Sequence, residues 1–366
     1  MALRGACEGG RQTTQRSRVN RAGLARALVS DTWRSSVDNE EWRLLAAIAR
    51  RFYLEDASKT DLAAEYSMSR FRVARMLQQA RDEGVVTVQI HDRDDYRSSL
   101  SVELAEHLGL RECIVVKGGE TEESNRRLLA HTAAGYLKKE IRDGDLVGLS
   151  WGRTLAAIGE ELVDLPACTL VQLTGTVGND FTQSPVDVIR RIADRSSVET
   201  MAIFCPLFAG SDEGARTFRA DRAIARVLQM YSDLRLAVLS LGSWDPPITQ
   251  LAAEMTAADR DELARAGAKA EMAGIFVGED GSLIETPVTR RRISVSADEL
   301  LRTPRVLAVA GSVEKAGAIS AVARSGLLTS LITDDKTALA IRRLPPVRQH
   351  VLARPATAGA STLSTS

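Results

Sequence analysis

LVGLSWGRTLAAIGEEL, residues 146–162, changes its period partway along. Leu146 to Leu149 is a short apolar run of the kind that fills a strand buried on both faces. Ser150-Trp151-Gly152-Arg153-Thr154 is a compact polar turn, and Leu155 to Leu162 has helical spacing. A strand that ends in a small-residue loop and opens a helix aims free backbone N–H groups at one spot. Those donors, the helix dipole and the Ser150 and Thr154 hydroxyls suit a phosphate or another anion. From this stretch alone, an ordinary βα turn with Gly152 for sharpness reads equally well, and Arg153 either adds charge or points to solvent.

The same grammar recurs on both sides. Cys113 to Val116, Thr169 to Leu173, Met201 to Phe204, Leu236 to Leu241, Gly274 to Val277, Arg291 to Val295, Val306 to Ala310 and Ser330 to Thr333 read as strands. Glu122 to Glu140 and Val186 to Ser196 read as helices between them. That alternation predicts an α/β fold. Three further strands end in polar, Gly-containing loops: Thr174 to Asn179, Gly242-Ser243, and Gly311 to Lys315. In an open α/β sheet the carboxyl ends of the strands form the ligand crevice. Lys315 falls in the first turn of a helix, where a cation is mildly unfavourable unless an anion sits there too. Asp180, Asp187, Asp245 and Glu271 lie near the loops and suit the hydroxyls of a sugar.

The segment 38–91 has a different character. Trp42, Leu45, Ile48, Ala49 and Phe52 share one helical face. Ser58 is placed to cap a short helix carrying Leu62, Ala63 and Tyr66. Ser67-Met68-Ser69 makes a tight turn, and Ser69 caps a third helix with Val73, Met76, Leu77 and Ala80 inward. Gly84 ends that helix, and Val85 to Ile90 reads as the strand of a wing. This is the order of a winged helix-turn-helix. Its third helix carries Arg70, Phe71 and Arg72 in its first turn, Arg75 one turn on, and Arg81 near its end. Early residues of a recognition helix meet base edges, and Arg can bind guanine through two hydrogen bonds. Ser58, Lys59 and Ser69, at the starts of two helices, are placed to hold phosphates. A small helical bundle with a solvated Arg face is the bland alternative, and the ordered set of cap, turn, basic first turn and wing argues against it.

Totals exclude several classes. The 366 residues carry 48 basic and 48 acidic side chains, so no overall field advertises DNA binding and any basic patch is local. No apolar run nears the roughly 20 residues that span a bilayer, and Met1 to Val37 lacks the apolar core of a secretory signal. Cys7, Cys113, Cys168 and Cys205 form no CxxC pair, and the four histidines have no metal-ligand spacing, so neither a metal nor a cofactor is expected. Three of the cysteines read as buried, reduced thiols of a cytoplasmic protein. No GxGxxG, P-loop or GxSxG elbow is present. His91, His107, His131 and His350 fall outside the four loops, so an enzyme is not expected. The expected division is a disordered arm (1–37), the winged helix-turn-helix (38–91), a linker (92–99), an effector-binding α/β domain (100–345) and a disordered tail (346–366).

These pieces resemble a known family, the SorC-type sugar-binding transcriptional regulators, from about Trp42 to Leu344. GLSWGRTL (148–155), QLTG (172–175), PVDVIRRIA (185–193), FCPLFAG (204–210) and SLGSW (240–244) carry the likeness. VAGSVEKAGAISAVARSGLLTSLITDDKTA (309–338) carries most of it, and the helix from Ser69 to Leu77 matches the DNA-binding part. The resemblance implies a winged helix-turn-helix joined to a Rossmann-like domain of the sugar-phosphate-isomerase type. It implies operator DNA and a small phosphorylated sugar as partners, in a homo-tetramer or dimer. Ser150, Trp151, Gly152, Arg153, Thr154 and Lys315 would hold the phosphate. Gln172 and Gly175 would line the pocket, joined by Gly242 and Glu271. The chain departs from the pattern at Ala270-Glu271-Met272-Ala273-Gly274, where the family has Gly-Asp-Ile-x-Gly. It departs again at Ala310-Gly311-Ser312, where the family has Ala-Gly-Gly. A sugar-phosphate isomerase or deaminase is the alternative that the same fold would host.

Overall fold

The computed structural model describes residues 40–86, 95–178 and 184–354. The chain divides after residue 93 into two compact units.

The first unit contains α1 (residues 40–54), α2 (Lys59–Glu65) and α3 (Arg70–Asp82). The helices form where the apolar spacing requires, because Leu45, Ile48, Ala49, Leu62, Val73, Met76, Leu77 and Ala80 close into one core. Both expected caps are present. Ser58 Oγ accepts from the Asp61 amide while the Asp61 carboxylate accepts from the Ser58 amide, and Ser69 Oγ accepts from the Arg72 amide. Between them the chain turns at Ser67 with φ 51°. Past α3, Gly84 adopts φ 76° and the Val86 amide donates to Ala80 O. Val85 and Val86 are not in a strand, and the rest of the expected wing, Thr87 to Ile90, lies outside the described residues.

The second unit opens with α4 (Asp95–Leu108), β1 (Glu112–Val116), α5 (Glu122–Glu140), β2 (Leu146–Leu149) and α6 (Arg153–Glu161). It continues through β3 (Thr169–Gln172), α7 (Pro185–Ala193), β4 (Glu199–Met201), α8 (Asp212–Ala220), α9 (Arg222–Met230), β5 (Leu236–Leu239) and β6 (Gly242–Ser243). Then come α10 (Leu251–Glu254), α11 (Ala257–Arg265), β7 (Ala268–Met272), β8 (Ile275–Gly278), α12 (Pro287–Arg290) and α13 (Ala297–Arg302). It closes with β9 (Arg305–Val309), α14 (Ala316–Ser325), β10 (Ser330–Asp334) and α15 (Asp335–Arg342). Seven strands pair in parallel in the order β1-β10-β9-β5-β2-β3-β4. Their residues alternate between two cores: Val306, Ala308 and Ala310 face one side of the sheet, Leu307 and Val309 the other. Helices cover both faces, which is why the strands read as continuous apolar runs. A small antiparallel sheet, β6-β7-β8, adds a third layer of packing around Trp244 and Phe276.

Five expectations change. The strand expected at Met201 to Phe204 lies two residues earlier, as β4 at Glu199–Met201, and Phe204 is exposed. Arg291 to Val295 is no strand. It makes only single bridges, Ser294 to Thr174 and Arg292 to Phe208, and its alternation arises because Ile293 and Val295 are buried. Strand β7, Ala-Lys-Ala-Glu-Met, was hidden by helix-favouring composition that pairing with β8 overrides. Residues 95–99 of the expected linker are the first turns of α4, which Leu100, Leu104 and Leu108 bury at a four-residue spacing. The chain past Pro345 stays docked to residue 354. Val347 is buried, the Val351 and Leu352 amides donate to Arg324 O and Ser325 O, and the Arg354 guanidinium reaches carbonyls of Gly326, Leu327, Leu300 and Thr303. Residues 1–37 and 355–366 lie outside the described residues.

Candidate functional site

Strand order reverses between β2 and β5. From β2 the chain runs outward to β3 and β4, then returns to β5 on the opposite side. The loops leaving β2 and β5 therefore part at their carboxyl ends, where α/β sheets bind ligands. A cavity of about 620 Å³ opens there. Its walls come from the loops after β1, β2, β5, β9 and β10, with Thr249 and Gln250 and the Glu271 side chain of β7.

Helix caps show what this cavity is prepared for. Among the helices whose N-cap is described, α2, α3, α5, α7, α8, α9, α11, α12, α13 and α15 each receive a side-chain hydrogen bond there. Gly152 at the start of α6 gives no such bond, nor does Ser312 at the start of the Val313–Lys315 turn that runs into α14, and both are in the cavity wall; the first amide of α10, by contrast, donates to Thr249 Oγ1. Gly152 has φ 123° and no Cβ to obstruct the approach; a Cβ there would fall 2.9 Å from Ser240 Oγ. Uncapped amides ask for an outside acceptor.

Charges converge on the same wall. Lys315 closes a single 3-10 turn, Val313–Lys315, and its Nζ donates to Leu241 O at 2.9 Å, leaving two donors. Burial lowers its pKa and nearby Arg153 and Arg126 lower it further, against Glu271 and Glu122. Glu271 is 4% exposed, and burial raises its carboxyl above 4.5 even though the Thr249 hydroxyl, the Gly274 amide and Lys315 favour the charged form. Thr249 Oγ1 donates to it at 2.9 Å. Gly242 is required beside it, since a Cβ would lie 2.4 Å from Glu271 Oε1. Across the cavity Glu122 bridges two guanidinium groups, Arg126 at 2.7 Å and Arg153 at 3.0 Å. Below, buried Asp334 ties the loops together: it accepts from Asn125 Nδ2 at 3.0 Å and from the Thr337 hydroxyl at 2.7 Å, and it caps α15.

The structure brings Trp151, Gly152, Arg153, Thr154, Gly242, Glu271 and Lys315 to one cavity. It leaves three expected residues out. Gln172 is fully buried and ties the segments after β3 and β4 together, donating to Thr174 O and Ile203 O and accepting from the Ile203 amide. Gly175 is a close-packing position, where a Cβ would meet Pro206 at 2.5 Å. Ser150 is completely buried behind the loop. Of the carboxylates near the loops, Asp187 pairs with Arg190 and Arg191, Asp245 pairs with Lys269, and Asp180 lies outside the described residues. The loop after β1, Gly118 to Thr121, was missed although it obeys the same rule of a Gly-containing loop at a strand end. Arg126, Thr249 and Lys336 carried no local signal, because only tertiary packing brings them to the wall. Cys113, Cys168 and Cys205 are buried free thiols, and burial pushes the first up to about 12 and the others to about 11.

In the first unit, Ser58 and Ser69 serve as caps, Lys59 lies 5.7 Å from the Phe52 ring centroid, and Arg70, Phe71, Arg72 and Arg75 are exposed on α3. No ion pair engages these three arginines among the described residues.

The family described as "Putative sugar-binding domain" matches residues 95–342. The erythritol catabolism regulatory protein EryD of Brucella abortus is 29% identical over 294 residues, which cover 79% of this chain and 93% of its own. The deoxyribonucleoside regulator of Bacillus subtilis is 25% identical over 311 residues, 83% of this chain and 99% of its own. The crystal structure of the full-length sorbitol operon regulator SorC from Klebsiella pneumoniae shares the fold, with a TM-score of 0.63 at 21% identity over 82% of this chain and 98% of its own. No helix among the described residues is long and apolar enough to cross a membrane. With its second unit matched almost end to end, the chain belongs to the SorC-type family of sugar-binding transcriptional regulators.

Proposed function

We propose that this chain regulates a carbohydrate-utilisation operon in the cytoplasm, binding operator DNA through α3 and sensing a phosphorylated sugar in the 620 Å³ cavity. The observation that carries the effector class is the pair of uncapped starts at Gly152 and Ser312, both on one cavity wall. A phosphate there would take charge-assisted bonds from the α6 amides, Thr154, Arg153 and Lys315. Glu271, held by Thr249 and favoured in its neutral form by burial, is suited to a sugar hydroxyl. The relatives named as regulators support a role in transcription.

A thermal-shift screen of phosphorylated and free sugars identifies the class of ligand. A true effector at a hundredfold excess over its Kd stabilises the fold by about 2.7 kcal/mol. Calorimetric titration of Thr154→Ala and Lys315→Ala then separates roles. Both variants are expected to weaken the phosphorylated sugar more than its unphosphorylated analogue. Equal losses for the two would mean that these residues shape the cavity without touching phosphate.

A further inference from the structure

Phe71 is 86% exposed, the most exposed large apolar side chain among the described residues. It stands on a helix with a well-formed inner face. Val73, Met76, Leu77 and Ala80 are buried, and at 3.6 residues per turn their mean direction lies roughly 180° from Phe71. Phe71 is therefore the apex of the outward face, with Arg75 beside it one turn on. Arg70 and Arg72 stand on its two flanks. The first turn of α3 holds no acidic residue, so both cations sit against the positive end of the helix dipole. An exposed aromatic ring, flanked by three arginines that have no ion-pair partner among the described residues, matches a surface that is anionic at its edges and apolar at its centre. The major groove of DNA at a thymine has that pattern: phosphates on both sides and a C5 methyl on the floor.

We propose that Phe71 is a specificity-determining residue that packs on the C5 methyl of a thymine, while the flanking arginines engage the backbone. The assignment rests on the regulator reading given above. It also accounts for an exposed ring at a position where a polar residue would cost the fold nothing.

Full-length protein selects its preferred duplex from a random pool, and each thymine of that duplex is then replaced singly by uracil, which lacks only the methyl. Wild-type affinity is expected to fall about fourfold at one thymine per half-site, the worth of one buried methyl-sized group. Phe71→Ala should bind the thymine duplex more weakly and lose the distinction at that position, whereas Phe71→Leu should keep part of it. Thermal melting shows that both variants remain folded. Discrimination that survives intact in Phe71→Ala, or a wild type indifferent to every uracil, overturns the assignment while leaving DNA binding standing. A Phe71→Ala chain whose assembly state changes by light scattering while its thymine preference does not makes the ring a subunit contact and also overturns it. A wild-type chain that enriches no sequence overturns the regulator reading, and the Phe71 assignment with it.

Discussion

Ser312 adopts φ 110° and ψ 125° immediately before the turn that presents Lys315. Side chains with a Cβ avoid that region, at a cost of order 1–3 kcal/mol. The surroundings leave the backbone little choice. The Ser312 amide donates to Thr337 Oγ1 at 2.9 Å, and Thr337 in turn donates to Asp334. Gly311 beside it is forced to be glycine, since a Cβ would lie 2.6 Å from Asp334 Oδ2. The Ser312 hydroxyl bonds only to the exposed Glu314 carboxylate. Replacing Ser312 with Gly relieves the strain and returns part of the gain as unfolded-chain entropy, so Ser312→Gly should stabilise the protein by about 1 kcal/mol. Urea titration checks this: the midpoint should rise at constant m. A midpoint that stays put or falls would show that the chain carries no strain here. Effector affinity should change little, because the amides of the turn keep their direction.

Helices show how far sequence logic reaches. The outward face of α3 separates two kinds of arginine. Arg75 lies near the apex, where a guanidinium meets base edges, and Arg70 and Arg72 lie on the flanks, where it meets phosphates. Arg75→Ala should therefore cost about 1–3 kcal/mol in operator affinity and relax preference at one base pair. Arg70→Ala and Arg72→Ala should weaken all duplexes alike, each reducing the salt slope by about one. Mobility-shift titrations at several salt concentrations distinguish the two patterns, and an equal, sequence-independent loss for all three would remove Arg75 from base readout. In the sequence the first-turn arginines looked like the readers of base edges, although the inward face of Val73, Met76, Leu77 and Ala80 was already visible; the division follows once the angles from that face are counted. Much else was legible. Ser58 and Ser69 announced their helices because a cap is a local bond between neighbours. Seven of the ten strands were visible because burial on both faces leaves apolar runs. Strand β7 was not, because Ala-Lys-Ala-Glu-Met is shaped by its partner β8, and Gln172 misled because a buried cross-link and a pocket lining look alike in one dimension. The cavity itself was half visible: glycines at strand ends marked three of its loops, a fourth marked loop at Gly175 proved to be packing, and nothing marked Arg126 or Thr249.

At the scale of the whole molecule, regulation requires that occupancy of the sugar site alter the grip on DNA. One helix-turn-helix of this size, whose core is eight buried residues, offers too few contacts for tight, specific binding. We therefore expect a homo-oligomer, a tetramer, presenting two or more heads. Two-fold related heads need half-sites about one helical turn apart, roughly 34–36 Å, or a multiple of that. An effector changes head spacing or assembly only through its different affinity for the two states, and a tenfold change in operator affinity needs about 1.4 kcal/mol of such difference. The cavity wall is equipped to supply it. Glu122 bridges Arg126 and Arg153 there, and Lys315 is tied to Leu241 O; a phosphate would compete for all three cations and so draw on α5, α6 and the turn before α14 at once. Glu122→Gln weakens that internal competitor and should raise effector affinity without abolishing the response. Light scattering of the full-length protein, with and without operator and effector, measures assembly, and mobility shift measures the grip on DNA. The coupling fails if the protein occupies its operator as a monomer, or if saturating cognate sugar alters neither assembly nor operator affinity. It also fails in its proposed form if Glu122→Gln binds the sugar more weakly than the wild type, because Glu122 would then be a ligand of the sugar and not its rival.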